Sequence, residues 1–184
     1  MGSISDRIID LAFSWQRLVI SAALGIASFA LARTGLMVLI GPGVFSDASE
    51  IFVSLGAALG GPAGGALTGL IGGLGFMPEV NIPVHVLSGF LTGVWYIVLW
   101  DYAKSKGLGR PVRIAVWSIS VLAFYYLLTL PLYAWIFSGM ESGTSFLDLY
   151  ADVAPDLLPE AGLTMLVTSF VLFVIPDSLA APEP

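Results

Sequence analysis

The sequence predicts an all-α integral membrane protein that crosses the bilayer six times. Hydrophobic residues make up 57% of the 184 residues and charged residues only 11%, against about 45–50% and about 25% in a soluble domain. The few positive charges are also sorted, because six of the seven Lys and Arg residues lie either before residue 18 or between residues 104 and 113. Lys and Arg near the ends of spans stay on the cytoplasmic side. The pattern therefore predicts topology as well as location, in a plasma membrane of prokaryotic type.

Apolar runs predict helices at about residues 17–40, 51–61, 63–77, 83–103, 112–137 and 157–176, all within one transmembrane domain covering 1–184. Four of these runs reach the roughly 20 residues that a spanning helix needs. The second and third runs are shorter and are joined by the sequence GGPAGG at 60–65. Residues 51–77 therefore fit two short helices folded back at a Gly-Pro-Gly turn, or one span kinked at Pro62.

The charge pattern favours the two short helices. With six spans the N-terminus, the C-terminus and the basic loop 104–113 all lie inside (N-in/C-in). With five spans, one of the two groups of basic residues would lie outside, which the positive-inside bias disfavours. Residues 18–29 followed by Ala30-Leu31-Ala32 are similar to a cleavable signal peptide. However, the apolar run resumes at Gly35, so we expect the first helix to be retained.

Small residues recur at one-turn spacing in two places. Glycines follow one another every four residues in the second and third predicted helices, and alanines do so in the first; the residues concerned are Gly61, Gly65, Gly69, Gly73, Ala23 and Ala27. In lipid, such faces let helix backbones approach closely. They fit either packing within this chain or a docking face for another membrane subunit.

Together, the Ala23-x-x-x-Ala27 pair, the Gly61-Pro62-Ala63-Gly64-Gly65 turn and the six-span topology resemble the substrate-binding S components of energy-coupling factor (ECF) importers. This resemblance implies an outward-opening pocket for a small organic solute, vitamin-like in kind. It also implies that the alanines face a transmembrane coupling subunit, which works with two cytoplasmic ATPase subunits. The same glycine-rich turn sequence is also similar, though more loosely, to the membrane sensor region of LytS-type histidine kinases. The alternative is thus a sensor or scaffold that acts by packing against a signalling partner.

Other classes are disfavoured by composition. A net charge of −6 argues against a nucleic-acid partner. With no cysteine and one histidine, the chain is a poor metal carrier. We find no nucleophile motif, no catalytic constellation and no phosphate-binding loop, and we therefore expect neither enzymatic activity nor a cofactor.

Five residues are candidates for solute binding: Arg33, Asn81, His85, Tyr133 and Glu160. An ionisable residue at membrane depth is a functional candidate by default. Arg33 could clamp an anionic group of the solute, or could snorkel to headgroups or pair with an acid. His85 could be structural, and Glu160 a rim acid or a counter-charge. The loops 41–50 and 138–156 are expected to close over the bound solute.

Overall fold

The computed structural model describes residues 14–34, 37–41, 44–140 and 145–181, together with residues 6, 9, 10 and 143. The elements in chain order are α1 (Trp15–Thr34), β1 (Met37–Gly41), β2 (Val44–Asp47), α2 (Ser49–Gly73), α3 (Pro78–Ser105), α4 (Arg110–Phe124), a π-helical turn (Tyr125–Thr129), α5 (Leu130–Met140), α6 (Phe146–Val174) and α7 (Asp177–Ala180). Within the described ranges, five helical stretches are long and apolar enough to cross a membrane, α4 to α5 counting as one.

The outside of the bundle is apolar, as expected of a protein surrounded by lipid, and its interior combines apolar residues with small polar ones. Large apolar side chains on α1, α4, the π-helical turn, α5 and α6 are more than 60% exposed, among them Ile26, Ile119, Leu127, Trp135, Leu166 and Phe170. Small polar side chains are buried instead; Thr68 and Thr168, for example, are fully buried and donate to backbone carbonyl oxygens. Soluble monomers rarely expose so much contiguous apolar surface. The protein is therefore membrane-embedded, as the composition predicts.

Helix α2 reverses direction in its middle. Gly61 has φ 67° and ψ −164°, outside the helical region, and Pro62 follows it. Both ends of α2 lie beside Ser28 of α1: the Ser28 hydroxyl donates to Ser49 O over 3.2 Å, and a Cβ built on Gly72 would fall 2.9 Å from Ser28 Cβ. In a straight helix these two ends would be about 35 Å apart. The Gly-Pro-Gly turn between two short helices, predicted from the sequence, is present.

The glycines of the second half of α2 hold it against α3. A Cβ on Gly65 would lie 2.6 Å from the carbonyl carbon of Gly89, and one on Gly73 would lie 2.9 Å from Ile82 Cα. Gly69 similarly faces the backbone of His85, and Gly61 that of Gly93. Of the two interpretations of the face formed by Gly61, Gly65, Gly69 and Gly73, these contacts support packing within the chain, because α3 covers the face.

Two element boundaries also differ from the sequence prediction. Helix α1 ends at Thr34 rather than near residue 40, and Met37–Gly41 pairs antiparallel with Val44–Asp47. The prediction of an all-α fold therefore holds for the spanning elements, but not for this short hairpin. Helix α6 begins at Phe146 rather than near 157, because Ser145 caps it by accepting from the Asp148 N–H over 3.1 Å. Most of the predicted loop 138–156 is thus helical.

One end of the bundle, which we call the basic end, is formed by Arg17, Arg110 and Arg113. Arg17 donates to Leu59 O at the end of the first half of α2, and to Ala181 O over 2.9 Å. Arg110 donates to Leu172 O over 2.6 Å and to Ile175 O, at the end of α6. Cations favour helix C-termini because the last carbonyl groups carry partial negative charge. Arg17 and Arg110 therefore bind carbonyl groups at helix ends, as well as marking one side of the protein.

Candidate functional site

The opposite end of the bundle contains a cavity of about 230 Å³. It lies between the start of α2, the start of α3, the π-helical turn with α5, and the first half of α6. Its lining is largely apolar, with a few polar groups that come from separate elements: Ser49, Glu50, Asn81, His85, Tyr125, Thr129, Tyr133 and Glu160. The cavity is smaller than the typical ligand pocket of about 300–1,000 Å³, but it has the same mixture of apolar walls and sparse polar groups. Its lining therefore has the character of a site for a small molecule.

Four of the five predicted binding residues line this one cavity. Asn81 and His85 come from α3, Tyr133 from α5 and Glu160 from α6. They are separated by as many as 79 positions in the sequence, so the fold brings them together. Arg33 is placed differently: it is exposed near the end of α1 and is not among the lining residues.

The strongest polar contact of the site joins Glu50 to His85. His85 Nε2 lies 2.7 Å from Glu50 Oε1, and each side chain is only 10% exposed. Pairing reduces the cost of burying a carboxylate away from water. Glu50 was not among the predicted site residues, so the pair was missed. The signal that could have found it is that both residues lie at predicted outer helix ends, Glu50 just before the run 51–61 and His85 near the start of the run 83–103.

A second contact connects the π-helical turn to α6. The hydroxyl of Tyr125 donates to Glu160 Oε1 over 3.2 Å, and Tyr125 is buried while Thr129 lines the same wall. The turn is explained by Pro131, which has no N–H for the Leu127 carbonyl oxygen. The N–H of Leu130 instead donates to Tyr125 O, five residues back. Tyr125 and Thr129, the first and last residues of this turn, both line the cavity.

The mouth of the cavity is held by local bonds. Asn81 Nδ2 donates to Phe76 O over 2.6 Å, which fixes the side chain at the start of α3. The ring of Tyr133 stacks on that of Phe137, with centroids 5.6 Å apart and planes 12° apart. Both candidate residues are therefore positioned before any solute arrives.

The first half of α6 covers one side of the cavity, through Val153 and Leu157. It is tied to the π-helical turn by two bonds: Tyr150 OH donates to Tyr126 O over 3.0 Å, and Tyr126 OH donates to Ala154 O over 2.8 Å. The expectation that region 138–156 lies over the pocket agrees with this arrangement, although a helix provides the cover. The other expected cover, 41–50, contributes Ser49 and Glu50 to the lining.

A much smaller void of about 10 Å³ lies below the cavity and shares Glu50, Tyr125 and Thr129 with it. Its other polar residues are Ser54, Ser88 and Thr92. A void of this size has room for about one water molecule. The polar lining thus extends a short distance from the cavity towards the centre of the bundle.

The polar groups of the cavity come from side chains of several chemical types. In the part of the chain that the structure describes, no three His, Asp or Glu side chains converge as a metal site would require. The cavity provides two carboxylates, an imidazole, hydroxyl groups and an amide between aromatic and aliphatic walls. These groups can hold a small polar molecule by hydrogen bonds, charge and ring contacts.

No protein-family model, curated protein or solved structure matches this chain.

Proposed function

We propose that this protein captures a small organic solute in the cavity bounded by α2, α3, α5 and α6. The observation that carries the proposal is the convergence of Asn81, His85, Tyr133 and Glu160, from three helices, on one cavity. Polar groups converging in a largely apolar pocket are the usual mark of a small-molecule site. The pairing of Glu50 with His85 supports it further, since buried ionisable groups at membrane depth are costly and are retained mainly where they function.

The proposed topology is six membrane-crossing segments with both termini inside. Arg17, Arg110 and Arg113 lie at the basic end, and the positive-inside bias assigns that end to the cytoplasm. The cavity is at the other end and would open to the outside. Each half of α2 contains only about 12 residues, roughly 18 Å of helix, against a hydrocarbon thickness of about 30 Å. The two halves would therefore cross only with tilt or local thinning of the bilayer.

The proposed role within a larger assembly is that of the S component of an ECF-type importer, with a transmembrane coupling subunit and two cytoplasmic ATPase subunits as partners. On α1, Arg17, Ser21, Gly25 and Ser28 face the bundle. Ala23 is exposed and Ala27 half-buried, so this small-residue face remains available to another membrane helix. Such faces favour close helix contacts in lipid.

Native mass spectrometry of the chain purified gently in detergent tests solute capture. We expect a stoichiometric organic molecule of a few hundred daltons, lost from the Tyr133→Ala variant and retained by Arg33→Ala, whose side chain lies outside the cavity lining. Recovery of lipids alone, or of another membrane protein without a solute, would refute solute capture. That outcome would favour the alternative of a sensor or scaffold.

Two further variants test the partner and the topology. Ala23→Trp should keep the solute but prevent co-purification of a coupling subunit, whereas Leu166→Trp, on an exposed face of α6, should affect neither. Because the chain has no cysteine, a single Cys at Lys106 or at Glu79 can be labelled from either side of intact cells. We expect Lys106→Cys to react only after permeabilisation and Glu79→Cys without it; the reverse pattern would contradict the topology.

A further inference from the structure

The charge of the cavity lining is unbalanced. It contains the carboxylates of Glu50 and Glu160 and the imidazole of His85, and, among the residues that the structure describes, neither Lys nor Arg. The formal charge of the lining is therefore negative whether His85 is neutral or protonated. A carboxylate in a site that excludes water interacts with a ligand charge far more strongly than one in bulk solvent.

The basic residues in the described part of the chain lie elsewhere. Arg17 and Arg110 bind backbone carbonyl groups at the basic end, and Arg113 lies 4.1 Å from the ring centroid of Trp100 in the same region. Lys104 and Lys106 are exposed next to it. The remaining described cation, Arg33, is exposed on α1 and outside the cavity lining. The structure therefore offers an anionic solute no guanidinium or ammonium group in this cavity.

Aromatic rings stand beside the carboxylates. Tyr125, whose hydroxyl contacts Glu160, lines the cavity together with Tyr133 and Phe76. A cation over the face of such a ring is attracted by the ring quadrupole, and the gain rises when the cation is desolvated. Carboxylates and rings in one small cavity provide what a cation with an apolar body needs, namely charge neutralisation and ring contact.

We propose that the cavity selects a small organic cation, an ammonium group carried on a compact, flat apolar body. This rests on the proposed function, because it names the class of solute that the same cavity captures. It also replaces the expectation of an anionic solute, which depended on Arg33 reaching the site. In the bound state, the ammonium group lies near Glu160 and the apolar body lies between the rings of Tyr133 and Phe76.

Three probes of the same shape test the charge class: benzylamine, benzyl alcohol and benzoate, titrated up to millimolar concentrations. The readout is the thermal unfolding midpoint of the purified chain in a non-ionic detergent, since a ligand that binds only the folded state raises that midpoint. We expect benzylamine to raise it and the other two to have little effect. In Glu160→Gln the apparent affinity for benzylamine should fall at least about tenfold. Glu79→Gln, an exposed acid outside the lining, should respond as the wild type does.

Each other outcome overturns the inference. If benzoate protects as well as benzylamine, and Tyr133→Ala abolishes that protection, the cavity binds solutes but not by this charge rule, and the proposed function survives alone. If Glu160→Gln keeps the full response to benzylamine, the carboxylate is not the recognition element. If none of the three probes protects the wild-type chain, the cation class is rejected, and native mass spectrometry decides separately whether any solute is captured. The comparison of probes on the wild-type chain remains decisive even if the Glu160 variant does not fold.

Discussion

Replacing Gly65 with alanine should destabilise the protein although alanine is the better helix former. A Cβ at position 65 would lie 2.6 Å from the carbonyl carbon of Gly89, and a Cβ at position 89 would lie 2.7 Å from that of Gly65. Real Cβ atoms essentially never approach within 3.0 Å of another heavy atom. Both partners are backbone, so no side-chain rotation can relieve the contact. The second half of α2 and α3 would have to separate.

The expected magnitude follows from two opposing terms. Overpacking of this kind costs typically about 1–3 kcal/mol, and we take the upper end because backbone must move. Exchanging Gly for Ala inside a helix stabilises the helix by up to about 1 kcal/mol. The net expectation is a loss of about 2 kcal/mol, or roughly 4–8 °C in unfolding midpoint for a chain of this size.

Gly162→Ala is the matched control, because a Cβ at position 162 in α6 meets nothing within 4 Å. This variant should gain about 0.5–1 kcal/mol from helix propensity alone. Thermal unfolding in detergent, followed by the loss of the monodisperse peak on size exclusion, measures both variants. A Gly65→Ala protein as stable as the wild type would refute the close packing of α2 on α3. Equal destabilisation by both substitutions would refute the attribution to contact.

Three further outcomes are expected. His85→Ala should lower the free energy of unfolding by about 3–5 kcal/mol, because it leaves the buried carboxylate of Glu50 without this partner; thermal unfolding that matches wild type would exclude an energetically important pair. Gly61→Ala should destabilise by about 1–2 kcal/mol, since an L side chain is strained at φ 67°; unchanged stability would contradict the reversal of α2 at that residue. Tyr96→Phe removes a 2.6 Å hydrogen bond from the tyrosine hydroxyl to Ala180 O, so it should lower the free energy of unfolding by about 0.5–1.5 kcal/mol. It should also speed the removal of the C-terminal segment by carboxypeptidase. Digestion at the wild-type rate would show that this bond does not hold the segment.

Local sequence signals were sufficient to predict the structure where one residue type restricts the backbone conformation. The reversal within α2 was predictable because glycine tolerates a positive φ and the following proline has no N–H to continue the helix. Candidate residues of the site were also recognisable one by one, since Asn81, His85 and Glu160 are polar positions next to apolar runs. Their convergence on one cavity required the fold.

The failures have physical causes as well. Residues 37–41 continue an apolar run, and a short apolar strand cannot be separated from the end of a helix by periodicity. The start of α6 was predicted as a loop because it contains several acids and Pro155, although the Ser145 cap and the contacts of Val153 and Leu157 with the cavity hold it helical. Arg33 was selected because it is the only basic residue outside the two groups. Charge alone gives no information on which side of α1 a side chain lies.

The π-helical turn Tyr125–Thr129 has a consequence for how the span Arg110–Met140 could change. A π turn accommodates one more residue than an α turn in the same rise, so it acts as a single-residue insertion within an otherwise regular helix. Deleting one residue of this turn would restore regular α geometry and leave the two parts of the span in nearly their present register. A deletion within α4 or α5 would instead rotate one part of the span against the other by about 100°, so that either Trp117 and Val121 would leave the core or Leu130 and Tyr133 would turn away from the cavity. The span can therefore lose a single residue at the π-helical turn without disturbing the packing on both sides of it.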